Sequence, residues 1–405
     1  MAEDFTPLTD DCHSLGFSGR FADIAALNAG DPGQLRPVMD ELTRHRLLRA
    51  EPRDRKVALV IGGNGFVGAH LVARLSREPG IEKVIATARA NADGKPRERF
   101  EETVSLYQVA GVNRDKVHFL DADPTQPMFG LPSDHYHQLA ERVDLIFNSA
   151  SSSDYATSYI DLRADWVGSL LRVLQFAMDT KPKHVTYMGS LSGSLYQTPA
   201  DFRRPDSWWY SGYAQMKWVN GELLTWLGRE GVLPVTLCES PYVLGATDVG
   251  LDPGLHYSWW RVVEIAKSIG MIWRGPGMNY IPVDVLADVL TVNAMSDAPK
   301  PTLVPCNTEP YSNELLAELL DIDVVDWDDF TAEAHRLIPS RHLGTLLSSN
   351  IDSLIRIANR TPALLPDGYD TTWSDNLRLH ELYLRNIPFH DLARRRRSTD
   401  TALSA

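Results

Sequence analysis

The chain has 405 residues, 43% hydrophobic and 23% charged, which fits a soluble globular protein with one large α/β domain and a smaller part, or two domains. Its formal net charge of -13 excludes a general nucleic-acid binder, because affinity for phosphate backbones comes from clustered Lys and Arg. The three scattered cysteines, Cys12, Cys238 and Cys306, form no Cys-x-x-Cys pair, no apolar run reaches the roughly 18 residues of a membrane span, and the acidic N-terminus lacks a signal peptide's features; a cytoplasmic protein is expected.

Residues 1–55 are polar, broken by Gly and Pro, and carry one predicted helix, Arg36 to Arg49; they read as an N-terminal extension. Within them, His13-Ser14-Leu15 echoes a carrier-domain attachment site but lacks the two glycines before it, and is read as coincidence. From Lys56 the pattern changes. Apolar runs of strand length occur at Val57–Ile61, Val84–Ala88, Val117–Leu120, Val143–Phe147, His184–Met188 and Val235–Cys238. Helical spacing lies between most of them, as at His70–Arg77, Asp161–Ala177 and Tyr213–Gly228. Near-continuous apolar strands alternating with helices predict a Rossmann-type, doubly wound parallel sheet covered on both faces, with its ligand at the strands' carboxyl ends. The expected organisation is a dinucleotide-binding domain over 56–300, with substrate-side insertions at 196–210 and 245–280, a smaller, mostly helical subdomain over 301–393, and a polar tail over 394–405 whose basic run, Arg394 to Arg397, is solvated.

"KVALVIGGNGFVGAHLVARL" runs from a buried strand through a glycine-rich turn into an amphipathic helix. Gly62 permits the tight turn, Gly65 lets the backbone approach a pyrophosphate, and Gly68 lets the helix pack closely on the strand. Asn64, Phe66 and Val67 complete the expected cofactor cradle, where backbone N–H groups and the helix dipole hold negative charge. The second strand ends at Arg89, where a site preferring NAD usually has an acidic residue. An arginine there pairs with a 2'-phosphate, with Arg97 or Arg99 as helper, so NADPH is favoured over NADH.

The fourth predicted strand ends in Ser149, Ala150 and Ser151, small residues suited to lying beside a nicotinamide ribose. The fifth ends in "MGSLSGS", which places Ser190 at a carboxyl edge. Tyr213 and Lys217 follow at helical spacing, on one face of the next helix. These three side chains suit a single proton-transfer step, in which Ser190 orients a carbonyl oxygen, Tyr213 donates a proton to it, and Lys217 lowers the tyrosine pKa while bonding the ribose. Tyr210 is out of step with Lys217 and is assigned to the pocket wall. No metal-binding spacing such as His-Glu-x-x-His occurs, and no Gly-x-Ser-x-Gly elbow.

The chain resembles the thioester reductase group of the extended short-chain dehydrogenase/reductases: the reductive-release domains of nonribosomal peptide and polyketide synthases and of carboxylic acid reductases. The resemblance spans roughly Lys56 to Leu392 and rests on "GGNGFVGAHL", "DADPTQPMFGL", "GYAQMKWVNGELL", "YIPVDVLADVL", "VVDWDDFTAEAHRL" and "WSDNLRLHELYL". It implies NAD(P)H-dependent reduction of a carrier- or CoA-bound acyl thioester to an aldehyde, in some members onward to the alcohol. The family's catalytic Thr, Tyr and Lys map onto Ser190, Tyr213 and Lys217, and its adenine-contacting acidic residue onto Asp123, with Pro124 beside it. The chain departs from the pattern at Gly189-Ser190, at Asp165 in place of an Asn, and at Glu239 in place of an Arg. Trp208, Trp209, Tyr210, Tyr242, Tyr257, Trp259 and Trp260 are read either as an aromatic substrate pocket, with Tyr210, Tyr242 and Trp259 as substrate contacts, or as a satellite core. Reduction of a free ketone, aldehyde or imine, nucleotide-sugar epimerisation and nonenzymatic dinucleotide sensing are the alternatives.

Overall fold

The computed structural model describes residues 56–89, 95–151, 157, 159–193, 212–229, 231–307, 311–337, 363–369 and 375–389. The expected N-terminal extension, the interruption at 196–210 with Tyr210, and the polar tail lie outside the described residues. The strands among the described residues are, in chain order, β1 (Lys56–Ile61), β2 (Ile81–Ala88), β3 (Val117–Asp121), β4 (Leu145–Asn148), β5 (His184–Met188), β6 (Val235–Cys238), β7 (Tyr242–Leu244), β8 (Met271–Trp273), β9 (Tyr280–Pro282), β10 (Thr302–Leu303) and β11 (Asp323–Val325). The helices are α1 (Phe66–Arg77), α2 (Pro96–Leu106), α3 (Ser133–Arg142), α4 (Tyr159–Leu162), α5 (Gly168–Met178), α6 (Gly212–Arg229), α7 (Ser258–Ile269), α8 (Val283–Met295), α9 (Asn313–Leu320), α10 (Trp327–Leu337) and α11 (Asn376–Asn386). A π-helical turn, Arg163–Val167, joins α4 to α5.

The described residues of 56–240, 286–305 and 364–369 form one compact unit. Its seven strands run parallel in the order β10-β6-β5-β4-β1-β2-β3, a Rossmann-type sheet. The order reverses between β1 and β4, which opens the crevice where such sheets bind ligands. β1 is apolar almost throughout and buried after its first residue, as a central strand covered on both faces must be. Leu59, Ile61 and Ile146 of the sheet pack with Leu170, Val173 and Phe176 of α5 and with Leu223, Leu224 and Leu227 of α6. The fourth strand begins two residues later than its apolar text predicts, because Val143 is the C-cap of α3 and its N–H bonds back to Leu139. Asp144 then accepts from the Val57 N–H at 2.8 Å and pairs with Lys181, tying the entry of β4 to β1.

The second unit comprises the described residues of 241–285, 306–363 and 370–389. It holds two parallel strand pairs, β7 with β9 and β8 with β11, and the helices α7, α9, α10 and α11. Its core is aromatic: Trp259, Trp260, Trp273, Tyr280, Phe330 and Tyr383 are all buried in one cluster. The stretch 245–280, expected as an insertion of the first domain, clusters with this unit because α7 turns Trp259, Trp260, Val262 and Val263 into that core.

Asp252 is a half-buried acidic group of this unit; its carboxylate accepts from Trp260 Nε1 at 2.9 Å and the Gly254 N–H at 2.7 Å. Burial outweighs these donors and pushes its pKa up to about 6. The folded state therefore holds this proton more tightly than the unfolded state, and the associated stability is complete in acid and is lost as pH rises through about 6. Unfolding in denaturant at pH 4.5 and pH 7 checks this: Asp252→Asn gains stability relative to wild type on going to the higher pH, and an unchanged difference contradicts it.

Candidate active site

The glycine turn leaves no room for side chains. Gly62 has φ 80°, and a Cβ there would sit 3.0 Å from the Ala150 backbone; at Gly68 it would sit 2.1 Å from the Gly62 carbonyl oxygen. The Gly65 N–H closes the turn on the Gly62 carbonyl at 3.0 Å, and α1 starts at Phe66 with Gly65 as an N-cap that makes no side-chain cap bond. The first N–H groups of α1 thus meet no capping side chain, an arrangement that suits a pyrophosphate. Thr103 Oγ1 of α2 donates to the Asn64 carbonyl at 2.8 Å and holds the turn from the outside. The Phe66 ring packs against His70 and Tyr107, and Val67 continues α1. A backbone cradle that a Cβ would fill, with a helix N-terminus behind it, fits a dinucleotide.

At the neighbouring strand ends, Arg89 Nη1 lies 3.9 Å from Asp123 Oδ2, and Arg99 Nη1 donates to the Arg89 carbonyl at 2.6 Å. Two guanidinium groups and one carboxylate are therefore brought together beyond β2 and β3. The Arg89 side chain is 62% exposed, so the ion pair is weak and the guanidinium can turn to another anion. Asp123 is the fixed partner: its Oδ1 accepts from the Thr125 N–H at 2.9 Å and Thr125 Oγ1 at 2.7 Å, and its own N–H donates to the Phe129 carbonyl. Pro124 lies within this turn. Arg97 is turned elsewhere, over the Phe119 ring.

The reacting end is built from β4, β5 and α6. Ser149 Oγ donates to the Ile61 carbonyl at 2.8 Å and fixes the end of β4 beside β1; Ala150 and Ser151 follow, half-buried. Asn148, not singled out from the sequence, is buried there with no partner for its Oδ1 among the described residues. Ser190 follows β5 in a tight turn, its Oγ accepting from the Ser192 N–H at 3.2 Å and its carbonyl from the Gly193 N–H at 2.8 Å. Gly193 lets this turn close on α6: a Cβ there would meet the Lys217 carbonyl carbon at 3.3 Å. Lys217 is 4% exposed, and its Nζ donates to the Met188 carbonyl at 2.6 Å and lies 5.6 Å from the centre of the Tyr213 ring. Burial lowers the Lys217 pKa to about 7, against the nearby Cys238 thiol, which favours the charged form. The first unit thus brings Tyr213, Lys217 and the Ser190 turn to the carboxyl ends of β5 and β6.

The remaining candidates belong elsewhere. Tyr210 lies outside the described residues. Tyr242, in the second unit, bonds through its hydroxyl to Ser258 Oγ and sets its ring edge-on to Tyr257. Trp259 is 1% exposed and packs edge-on to Trp273, and Trp260 is buried against Tyr383, so the satellite-core reading describes these two tryptophans. Asp165 is exposed in the π-helical turn, and the Glu239 N–H bonds to the Leu303 carbonyl beside β6.

A parallel dinucleotide-binding sheet that carries Ser, Tyr and Lys at its carboxyl edge defines an oxidoreductase of the extended short-chain dehydrogenase/reductase type, using a nicotinamide cofactor. Residues 60–290 match the NAD-binding family described as male sterility protein, and the chain belongs to that family, the thioester reductase domains. Similar proteins include D-lysergyl-peptide-synthetase subunit 3 of Claviceps purpurea, 25% identical over 65% of this chain and 15% of that protein. Isonitrile lipopeptide synthase of Mycobacterium tuberculosis is 28% identical over 56% of this chain and 10% of its own length. Glycine betaine reductase of Emericella nidulans is 27% identical over 76% of this chain and 26% of its own. The chain therefore spans about a quarter or less of these relatives' length. Among solved structures, the terminal R domain of the myxalamid biosynthetic pathway shares the fold with a TM-score of 0.65 at 19% identity, over 86% of this chain and 97% of that one. A thiolation-reductase di-domain from an archaeal nonribosomal peptide synthetase gives 0.67 at 15% identity, over 87% and 79%. No helix among the described residues is long and apolar enough to cross a membrane.

The cradle yields a direct test. Gly68→Ala puts a Cβ where the Gly62 carbonyl stands, so dinucleotide affinity falls by about tenfold or more as α1 is pushed from β1. Fluorescence titration with NADPH reads this, and unchanged affinity contradicts the cradle.

Proposed function

We propose that this chain reduces an acyl thioester, carried on an acyl or peptidyl carrier protein or on CoA, to an aldehyde, with NADPH as the reductant, in a biosynthetic role in the cytoplasm. The observation that carries this reading is the juxtaposition of Tyr213 and Lys217 on α6 with the Ser190 turn, in a chain of the thioester reductase family. The L-2-aminoadipate reductases among the relatives and the thiolation-reductase di-domain among the solved structures support it.

Gly62, Asn64, Gly65, Phe66, Val67 and Gly68 would hold the pyrophosphate side of the cofactor, Asp123 and Pro124 the adenine side, and Ser149, Ala150, Ser151 and Lys217 the nicotinamide ribose. When bound, the reduced nicotinamide supplies a hydride. The Ser190 hydroxyl orients the acyl oxygen, and Tyr213 donates its proton there, where negative charge develops. The charged form of Lys217 stabilises the tyrosinate left behind. The resulting hemithioacetal collapses with loss of the thiol to give the aldehyde. Arg89, assisted by Arg99, selects the 2'-phosphate, since β2 ends without an acidic residue to bond a free ribose hydroxyl.

A second reading, reduction of a free ketone or aldehyde, draws on Glu239, an acidic residue after β6 where the resemblance calls for Arg. A panel of acyl-CoA, acyl-pantetheine and free carbonyl substrates decides between them: NADPH oxidation with release of aldehyde and thiol supports the first, and turnover of free carbonyls alone supports the second. Two variants test the residue roles in the same assay. Tyr213→Phe lowers kcat by about 10²–10⁴, and near-wild-type turnover refutes its role as acid. Arg89→Ala raises KM for NADPH by about tenfold and leaves KM for NADH nearly unchanged, while equal effects on both refute the phosphate clamp.

A further inference from the structure

Tyr187 is the fourth residue of β5 and is 2% exposed. Lys217 Nζ lies 5.0 Å from the centre of its ring and 5.6 Å from that of Tyr213, while donating to the Met188 carbonyl next to Tyr187. The ammonium is thus held by one carbonyl and two phenol rings. Asn220, one turn beyond Lys217 on α6 and fully buried, donates from Nδ2 to Tyr187 Oη at 2.8 Å. The same Nδ2 lies 3.4 Å from the Trp166 carbonyl in the π-helical turn, the kind of helix widening that leaves carbonyls available and recurs at functional sites. Filling the core at this point requires only a ring or a branched chain. A buried amide spent on fixing the ring's hydroxyl is what a required ring orientation calls for.

We propose that Tyr187 is a positioning residue of the active site: its ring, pinned by Asn220, seats the Lys217 ammonium and keeps it charged. The proposal rests on reading Tyr213 and Lys217 as the proton-transfer pair. Burial draws the Lys217 pKa down to about 7, so near neutral pH small contributions decide whether the side chain carries its charge. The groups around it are Tyr213 on its own helix, Tyr187 on β5 and the Cys238 thiol on β6, which favours the ammonium. Asp161 and Asp165, in the segment packed on α6, are exposed. A desolvated cation over an aromatic face is stabilised enough to move an ionisation by about one pH unit, tenfold in the ratio of ammonium to amine.

The experiment titrates Lys217 by NMR in protein labelled with ¹⁵N-lysine, without cofactor, for wild type, Tyr187→Phe and Tyr187→Leu, and records kcat and KM against pH for the same three. Tyr187→Phe keeps the ring but loses the hydroxyl that Asn220 pins, and lowers the midpoint by less than Tyr187→Leu does. Tyr187→Leu lowers the midpoint by about one unit and moves the alkaline limb of kcat to lower pH. A leucine variant that titrates like wild type, or a phenylalanine variant that shifts as far as the leucine variant, overturns the proposal. If the leucine variant does not fold, 3,5-difluorophenylalanine at position 187 preserves shape and weakens the ring face, and its midpoint must fall below that of Tyr187→Phe; equal midpoints overturn the proposal. A wild type inactive on every thioester, with the midpoints shifted as stated, refutes the thioester reading and supports the role of Tyr187.

Discussion

A lysine ammonium buried between a strand end and a helix is the interaction around which the first unit is organised. An ammonium out of water is costly unless hydrogen bonds and neighbouring groups replace its hydration. Here the Met188 carbonyl and the rings of Tyr187 and Tyr213 provide that replacement. The arrangement requires β5 to end where α6 passes over it, and requires the turn after Ser190 to be thin enough to close on the helix, which Gly193 allows. A larger residue at Gly193 would displace either the serine or the lysine, so serine position and lysine burial are one constraint. The lowered lysine pKa is a consequence of that closeness.

The glycine turn obeys the same logic at the other side of the crevice. Gly62 and Gly68 bring α1, β1 and the end of β4 together so closely that backbone alone lines the cradle. Ser149 then bonds across to Ile61, which sets the end of β4 against β1 where the strand order reverses. Two close approaches lie one on each side of that reversal, the glycine turn at β1 and the Ser190 turn against α6 at β5. The parallel sheet brings both to its carboxyl edge although Gly68 and Tyr213 stand 145 positions apart in the chain.

The parts of this architecture that follow short-range rules were legible in the sequence. The first six strands, the glycine turn and the Tyr-Lys face of α6 each rest on local periodicity or spacing, and all six strands match their apolar runs to within about three residues at either end. Val143 misled because an apolar helix C-cap reads like a strand start. Residues 245–280 misled because a tryptophan pair looks alike in a pocket wall and in a core, and only the fold shows α7 turning Trp259 and Trp260 inward. Tyr187 and Asn220 were invisible for another reason. A tyrosine inside an apolar strand and an asparagine inside a helix carry no spacing rule, and their connection to Lys217 exists only after β5 and α6 pack. The Arg89–Asp123 pair lies between: each residue stands out alone in the sequence, but their proximity depends on the parallel register of β2 and β3.

The central claim is that hydride and proton are delivered to the carbonyl of a thioester. The most direct measurement is product analysis by mass spectrometry after reaction of an acyl-pantetheine thioester with NADPH deuterated at the transferred position. The account predicts an aldehyde carrying one deuterium on its carbonyl carbon and one equivalent of free thiol for each NADPH consumed, with both lost in Tyr213→Phe. Deuterium transferred to a free ketone or aldehyde while the thioester is returned intact would contradict it.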